Sequence, residues 1–168
     1  MSGVGITIRP IRPEECEAAG ELVVAAYRAL EGGHSSPEYD RELRDVARRA
    51  NEAHVLIAVE GELAGCVTLV PDSSSPWAER LEEGEAGVRM LAVAPNRQGE
   101  GIGRALLDQC ISLARSWERD ALVLHSTPWM EVAHHLYETC GFVRTPERDF
   151  RPVPDVPLLA FRLALTGS

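Results

Sequence analysis

Val88-Arg89-Met90-Leu91-Ala92-Val93-Ala94-Pro95-Asn96-Arg97-Gln98-Gly99-Glu100-Gly101-Ile102-Gly103-Arg104-Ala105-Leu106-Leu107 decides how the rest of the chain is read. Val88 to Val93 is short and nearly all apolar, the composition of a strand buried on both faces. Pro95 has no N–H to give to a ladder and stops the pairing. Gly99, Gly101 and Gly103 follow at alternate positions, and Ile102, Leu106, Leu107, Ile111 and Ala114 then recur at helical spacing. The glycines therefore stand where a strand ends and a helix begins. The first N–H groups of a helix lack internal partners and carry partial positive charge, so glycines there let an anion approach closely. The stretch reads as a phosphate cradle. It is not a dinucleotide fingerprint, because the third glycine of G-x-G-x-x-G counted from Gly99 falls on Arg104. It is not a Walker loop either, because no Gly-Lys-Ser/Thr follows.

What remains, Gln98-Gly99-Glu100-Gly101-Ile102-Gly103, resembles the Q/R-x-x-G-x-G/A signature of the GNAT superfamily of N-acetyltransferases. Met90-Leu91-Ala92-Val93-Ala94-Pro95 precedes it, and Leu136-Tyr137-Glu138-Thr139-Cys140-Gly141-Phe142 follows at a distance, similar to that family's L-Y-x-x-x-G-F segment. The resemblance covers most of the chain and implies a single domain over residues 1–168. Its fold would be α/β: about seven strands in a mixed sheet, four helices on both faces, and a splay between the fourth and fifth strands.

The chain in order agrees. Ile6 to Ile11 alternates and is β-branched, a first strand. Glu14 to Leu30 is a helix with Leu22, Val23, Ala26 and Leu30 on one face. Residues 32–37 are turn residues, and Pro37 opens a second helix running to about Ala50. His54 to Val59 and Leu63 to Val70 form a hairpin around Glu60-Gly61-Glu62. Pro71 to Gly84 is a long polar connection. Ala86 to Val93 is the fourth strand, Glu100 to about Trp117 a helix, and Ala121 to His125 a strand parallel to the fourth if the helix crosses over right-handedly. Trp129 to Thr139 is a short helix stopped by Gly141. Phe142 to Arg144 and Leu158 to Leu165 are strands flanking a proline-rich excursion, Thr145 to Pro157.

Composition bounds the function. A chain of 168 residues suits one core, and no run approaches the ~20 apolar residues that span a bilayer. Residues 1 to 15 carry charges and prolines rather than an apolar signal core, so a cytoplasmic protein is expected. A net charge of −9 argues against nucleic acid as a partner and is compatible with cationic amines. All 17 basic residues are arginine, the bias of a G+C-rich bacterial genome. Cys16, Cys66, Cys110 and Cys140 show no C-x-x-C pairing and read as buried thiols. Adjacent His134 and His135 point about 100° apart on a helix, with no carboxylate at the spacing that would complete a metal site. No metal is expected.

The resemblance implies acetyl-CoA as co-substrate. Its pantetheine arm would pair with the backbone of the fourth strand at Leu91, Ala92 and Val93. Gln98, Gly99, Glu100, Gly101, Ile102 and Gly103 would wrap the pyrophosphate, and Arg104 would add charge. An arginine in a helix's first turn is otherwise unfavourable beside the dipole. Tyr137 matches the family's general acid: a phenol stays neutral at pH 7 and can protonate a departing thiolate. The amine's proton needs a base, for which Glu85, just before the fourth strand, His125 at the end of the fifth, and water are the candidates. Met130 stands where relatives often carry an asparagine that bonds the arm, leaving Ser126, Thr127 or water for that task. Residues 32–39 and 145–156 should flank the acceptor side, with Trp129 bordering the pocket and Trp77 and Trp117 packing. No cysteine or serine has a base at motif spacing for a covalent intermediate. The expected activity is therefore that of an acyl-CoA-dependent N-acetyltransferase. It would act by direct attack of a primary amine, whether small molecule, amino acid derivative or peptide N-terminus. The alternative is a non-catalytic acyl-CoA-binding regulatory module. The sheet and the proline-rich segment leave room for a homodimer.

Overall fold

The computed structural model describes residues 5–30 and 36–165. In chain order its elements are β1 (Thr7–Pro10), α1 (Cys16–Arg28), α2 (Pro37–Arg44), α3 (Val46–Glu52), β2 (His54–Glu60), β3 (Glu62–Val70), β4 (Glu85–Val93), α4 (Ile102–Ser116), β5 (Ala121–Ser126), α5 (Glu131–Thr139), β6 (Val143–Arg144), β7 (Phe150–Val153) and β8 (Val156–Ala164). The sheet runs β1-β2-β3-β4-β5-β8-β6, with β7 paired to β8 beside that path. All pairings are antiparallel except β4 with β5, which are parallel and joined through α4.

Two apolar layers cover the sheet. Ile102, Leu106, Leu107, Cys110 and Ala114 of α4 pack one face together with Tyr137 of α5 and Phe161 of β8. Ala19, Val23 and Val24 of α1, Leu43 of α2 and Val46 of α3 pack the other with Ile57, Cys66 and Ala92. Leu106 and Leu107 are wholly buried, worth about 2 kcal/mol each in transfer free energy.

The described residues hold five helices and eight strands, one more of each than the sequence suggests. The helix expected from Pro37 to Ala50 is two. Ser36 caps α2 by accepting the Tyr39 N–H at 3.1 Å. Asp45 then leaves helical geometry, with ψ of 59°, and its carboxylate accepts the Arg48 N–H at 3.3 Å, so it starts α3. The break leaves carbonyls in the last turn of α2 with spare accepting capacity, Glu42 taking only the Asp45 N–H from the backbone, at 3.2 Å. Fully buried Arg49 takes them: its guanidinium donates to the Glu42 and Leu43 carbonyls and to Thr68 Oγ1. The extra strand, β7, forms a hairpin with β8 across Pro154-Asp155, pairing Phe150 with Leu158 and Val153 with Val156. Pro152 is tolerated because this strand has no second neighbour.

One irregularity makes the site. On the β3 side of β4, Cys66 opposes Ala92 but Thr68 opposes Arg89, so β4 carries one extra residue. Met90 absorbs it at φ 55°, a left-handed conformation uncommon for a side chain of this size. On the other side, pairing with β5 ends at Val88–Leu124, just before that bulge. β4 continues to Val93 while β5 continues along β8 to Ser126. The two strands part there.

Candidate active site

Where β4 and β5 part lies a cavity of about 630 Å3. Val88 to Leu91 form one bank and Leu124 to Thr127 the other. Tyr27, Leu30, Ser36 and Tyr39 come from around α1 and α2, and Pro152, Val153, Val156 and Leu158 from the β7–β8 hairpin. Trp129 also lines the cavity, as expected. Of the two segments expected to flank the acceptor side, the hairpin and Ser36 and Tyr39 line this cavity; residues 31–35 lie outside the described residues.

Strand alternation gives the two faces of the opening different chemistry. Leu122 and Leu124 face the α4–α5 layer, and Ser126 follows them in register. Tyr137 rises from that layer, 5% exposed, packed against Phe142 and Phe161. Burial raises its hydroxyl to about 12, a hydrogen bond with Ser126 opposing the shift, so the phenol is protonated at pH 7. Ser126 Oγ also reaches Met130 Sδ at 3.4 Å.

His125 belongs to the opposite face. Its side chain is 2% exposed, its ring stands edge-on to Phe150 of β7 at 5.0 Å, and a Glu79 carboxylate oxygen lies 3.9 Å from its Nδ1. Burial lowers its pKa to about 4, helped by the nearby guanidinium groups of Arg148, Arg80 and Arg89 and opposed by Asp149. The imidazole is neutral at pH 7. Glu79 bonds Arg89 at 3.4 Å and has a raised pKa, chiefly from burial and in part from Glu42. Both carboxylates line the cavity.

Glu85 is elsewhere. It opens β4 at the end still paired to β5, opposite Ala121, and does not line the cavity. Both of its oxygens accept from Arg148 at 2.7 Å, one accepts from Arg162 at 2.9 Å, and the other takes the Glu82 N–H at 2.9 Å. Burial alone would raise its pKa, but these four bonds outweigh it and bring the carboxyl down to about 2. A carboxylate so held has no lone pair left for a substrate proton and little basicity. The expectation of a base at Glu85 is corrected: it is an ionic clasp between β4, β8 and the turn before β7.

The glycine loop has the form of an anion cradle. Gly99 and Gly101 adopt φ of 80° and 83°, and a Cβ at either would meet nothing within 4 Å. Gly101 is the N-cap of α4 and has no side chain to satisfy the N–H groups of Ile102, Gly103 and Arg104. Gly103 packs against α5, where a Cβ would lie 3.3 Å from Leu136. Gln98 Nε2 donates to the Val93 carbonyl at 2.9 Å, tying the loop back to β4. Arg97 bonds Glu100 at 2.8 Å and also pairs with Glu60, and exposed Arg104 pairs with Asp108 at 3.5 Å. Leu91 lines the cavity, while Ala92 is buried under α1's layer and Val93 is half-buried. From Arg89 to Val93 the β5-facing edge of β4 has no strand partner among the described residues.

Glu79, Glu42 and Phe150 were not legible as site residues. Glu79 and Glu42 come from a polar connection and a helix face, and meet only in the fold. His134 and His135 hold no metal-binding group among the described residues; His134 Nε2 instead contacts the Thr127 carbonyl at 2.9 Å. None of the four cysteines forms a disulfide. Among the described residues no helix is long and apolar enough to cross a membrane.

Comparison with known proteins agrees with this geometry. Residues 18–142 match the family model described as the acetyltransferase (GNAT) family. A streptothricin acetyltransferase of Streptomyces lavendulae is 33% identical over 88 residues, 52% of this chain and 42% of that protein. A mycothiol acetyltransferase of Nocardia farcinica is 28% identical over 150 residues, 84% of this chain and 46% of that protein. The chain thus matches less than half the length of either relative. A solved Brucella melitensis GNAT acetyltransferase in complex with acetyl-CoA shares the fold, with a TM-score of 0.66 and 22% identity over 99% of this chain and 92% of that one.

Proposed function

Because the chain belongs to the acetyltransferase (GNAT) family, we propose that it transfers the acetyl group of acetyl-CoA to the nitrogen of a primary amine, by direct attack within a ternary complex. The observation that carries this reading is buried Tyr137 lining the opening where β4 and β5 part beside the Met90 bulge, its raised pKa keeping the phenol a proton donor. A proton donor on α5 then faces the opening, while a free strand edge on β4 and an anion cradle at the start of α4 follow one another along the chain.

The residues present fit acetyl-CoA. The backbone of Leu91, Ala92 and Val93 offers the arm a strand edge. The cradle of Gln98, Gly99, Glu100, Gly101, Ile102 and Gly103 has room for a pyrophosphate against unpaired N–H groups, with Arg104 beside it. The Arg97–Glu100 pair offsets a carboxylate that would otherwise repel the phosphates. When bound, acetyl-CoA supplies the acetyl group as a thioester. The amine lone pair forms the N–C bond, and the C–S bond breaks with its electrons on sulfur. Tyr137 gives its proton to that sulfur, and a base takes one from the amine. Tyr27, Tyr39 and Trp129 give the acceptor side an aromatic wall, and Glu42 and Glu79 favour an approaching cation. This supports an amine on an apolar or aromatic body.

Calorimetric titration with acetyl-CoA and, separately, free CoA is the test. Dissociation constants in the micromolar range are expected, weakened at least ~10-fold in Gly101→Val, with acetylation of primary amines when acetyl-CoA is present. No binding of either ligand overturns the reading.

A further inference from the structure

Only two side-chain polar atoms among the described residues are deeply buried with no hydrogen-bond partner: His125 Nε2 and Thr127 Oγ1. Buried polar groups are nearly always paired, because leaving one unpaired costs stability. Here two occur two residues apart, His125 in β5 and Thr127 just past its end, and both residues line the cavity. Tyr137 approaches the opening from the other side of the sheet, through Ser126. A thioester crossing the gap between β4 and β5 would therefore have a proton donor on one face and an idle acceptor on the other.

We propose that His125 Nε2 is the base that takes the proton of the attacking amine, with Thr127 Oγ1 as the amine's second contact. This deepens the acetyl-transfer reading and rests on it. The groups around His125 suit the role. Phe150 of β7 holds the ring edge-on, and Arg80 stacks its guanidinium over Phe150 at 4.3 Å. The clasp on Glu85 fastens Arg148, whose second contact is the Arg80 carbonyl at 3.0 Å, so this wall is braced from behind. Glu79 on the Nδ1 side favours the tautomer with its proton on Nδ1, leaving the Nε2 lone pair free. Arg80, Arg89 and Arg148 oppose protonation of the ring, while Asp149 and Glu79 favour it. The balance keeps a neutral imidazole ready over the working pH range. Its proton arrives only as the N–C bond forms, when the amine nitrogen becomes strongly acidic. Glu79 then offsets the imidazolium charge. Tyr137 loses one proton to sulfur and His125 gains one from nitrogen, so a single proton passed through solvent restores both.

The test begins with a panel of primary amines, 2-phenylethylamine and spermidine included, carrying forward the best acceptor. In His125→Ala, kcat/KM should fall about 100-fold or more while acetyl-CoA affinity stays within about twofold. Added imidazole should restore turnover saturably, and pyrazole, of the same shape but far less basic, should not. His125→Gln, which keeps the volume, covers failure of the alanine variant to fold and should show the same loss. Thr127→Val should raise KM for the amine about 10-fold with little change in kcat. Retained turnover in the His125 variants, or equal rescue by pyrazole, overturns the assignment and leaves acetyl transfer standing. If wild type binds acetyl-CoA but acetylates no amine, the acetyl-transfer reading falls and this inference falls with it.

Discussion

The two ends of the β4–β5 pair hold a buried ionisable group each, Glu85 and His125, and treat them oppositely. At the closed end the ladder is intact and Glu85 accepts four hydrogen bonds from two arginines and a backbone N–H. At the open end the ladder has stopped, and His125 keeps one ring nitrogen with no partner. Both side chains are 2% exposed. Burial alone therefore does not distinguish structure from chemistry; what distinguishes them is whether the hydrogen-bonding capacity is spent. By sequence Glu85 and His125 stood as comparable candidates for the base, and the capacity of Glu85 turns out to be used up.

The hardest test of this contrast is Glu85→Gln. Removing one partner of a buried ionic cluster costs about 3–5 kcal/mol, because the remaining charges lose their counter-ion. Urea denaturation should show a loss of that order, with a lowered midpoint and an unchanged slope. The chemical step should survive in whatever fraction remains folded. An unaltered midpoint with turnover abolished would reverse the roles assigned to the two residues.

Acid should separate the two ends by pH window. Each group's folded pKa lies below its unfolded value, so the native state binds fewer protons and stability falls on acidification. For His125 the window runs from 6.5 down to about 4, and for Glu85 from 4.5 down to about 2. The His125 shift corresponds to about 3 kcal/mol. Wild-type stability should decline from pH 6.5, and His125→Gln should lose that decline, with the raised pKa of Glu79 acting in the opposite direction, until about pH 4.5, where Glu85 takes over. A decline in that variant identical to wild type would mean that His125 is not held neutral by the fold.

What was legible in the sequence was local. Val88 to Leu107 announces a strand, a stop, a cradle and a helix by spacing alone, and Gly141 ends α5 with φ of 99°. The bulge was not legible, because Met90 is an unexceptional member of an apolar run and nothing marks it for positive φ. Nor was the clasp: Arg148 and Arg162 reach Glu85 from 63 and 77 residues away, so no motif spacing connects them. The β7 strand was hidden by its own Pro152, although Pro154-Asp155 between Val153 and Val156 is a hairpin signal of the ordinary kind. The place of His125 at the end of β5 was legible, but its burial was not. Its unspent nitrogen is a property of the assembled cavity and has no counterpart in the chain.

The smallest expected effect falls at the open end, in Met130→Asn. Met130 is the N-cap of α5 with φ −94° and ψ 59°, and no side-chain bond satisfies the first N–H groups of that helix. A methionine thioether is a poor acceptor, so an unspent capacity of the backbone persists here beside those of His125 and Thr127. Asparagine would accept one of those N–H groups and stabilise the protein by about 1 kcal/mol. If its amide N–H₂ also meets the cofactor arm, acetyl-CoA should bind several-fold tighter. Met130→Asp separates the two effects, since aspartate caps a helix equally well but donates nothing and repels phosphate. Thermal unfolding should therefore rise in both variants, while calorimetry should show tighter acetyl-CoA binding in the asparagine variant alone. Equal binding in both would mean that the capacity left open at this end of the sheet belongs to α5 and not to the ligand.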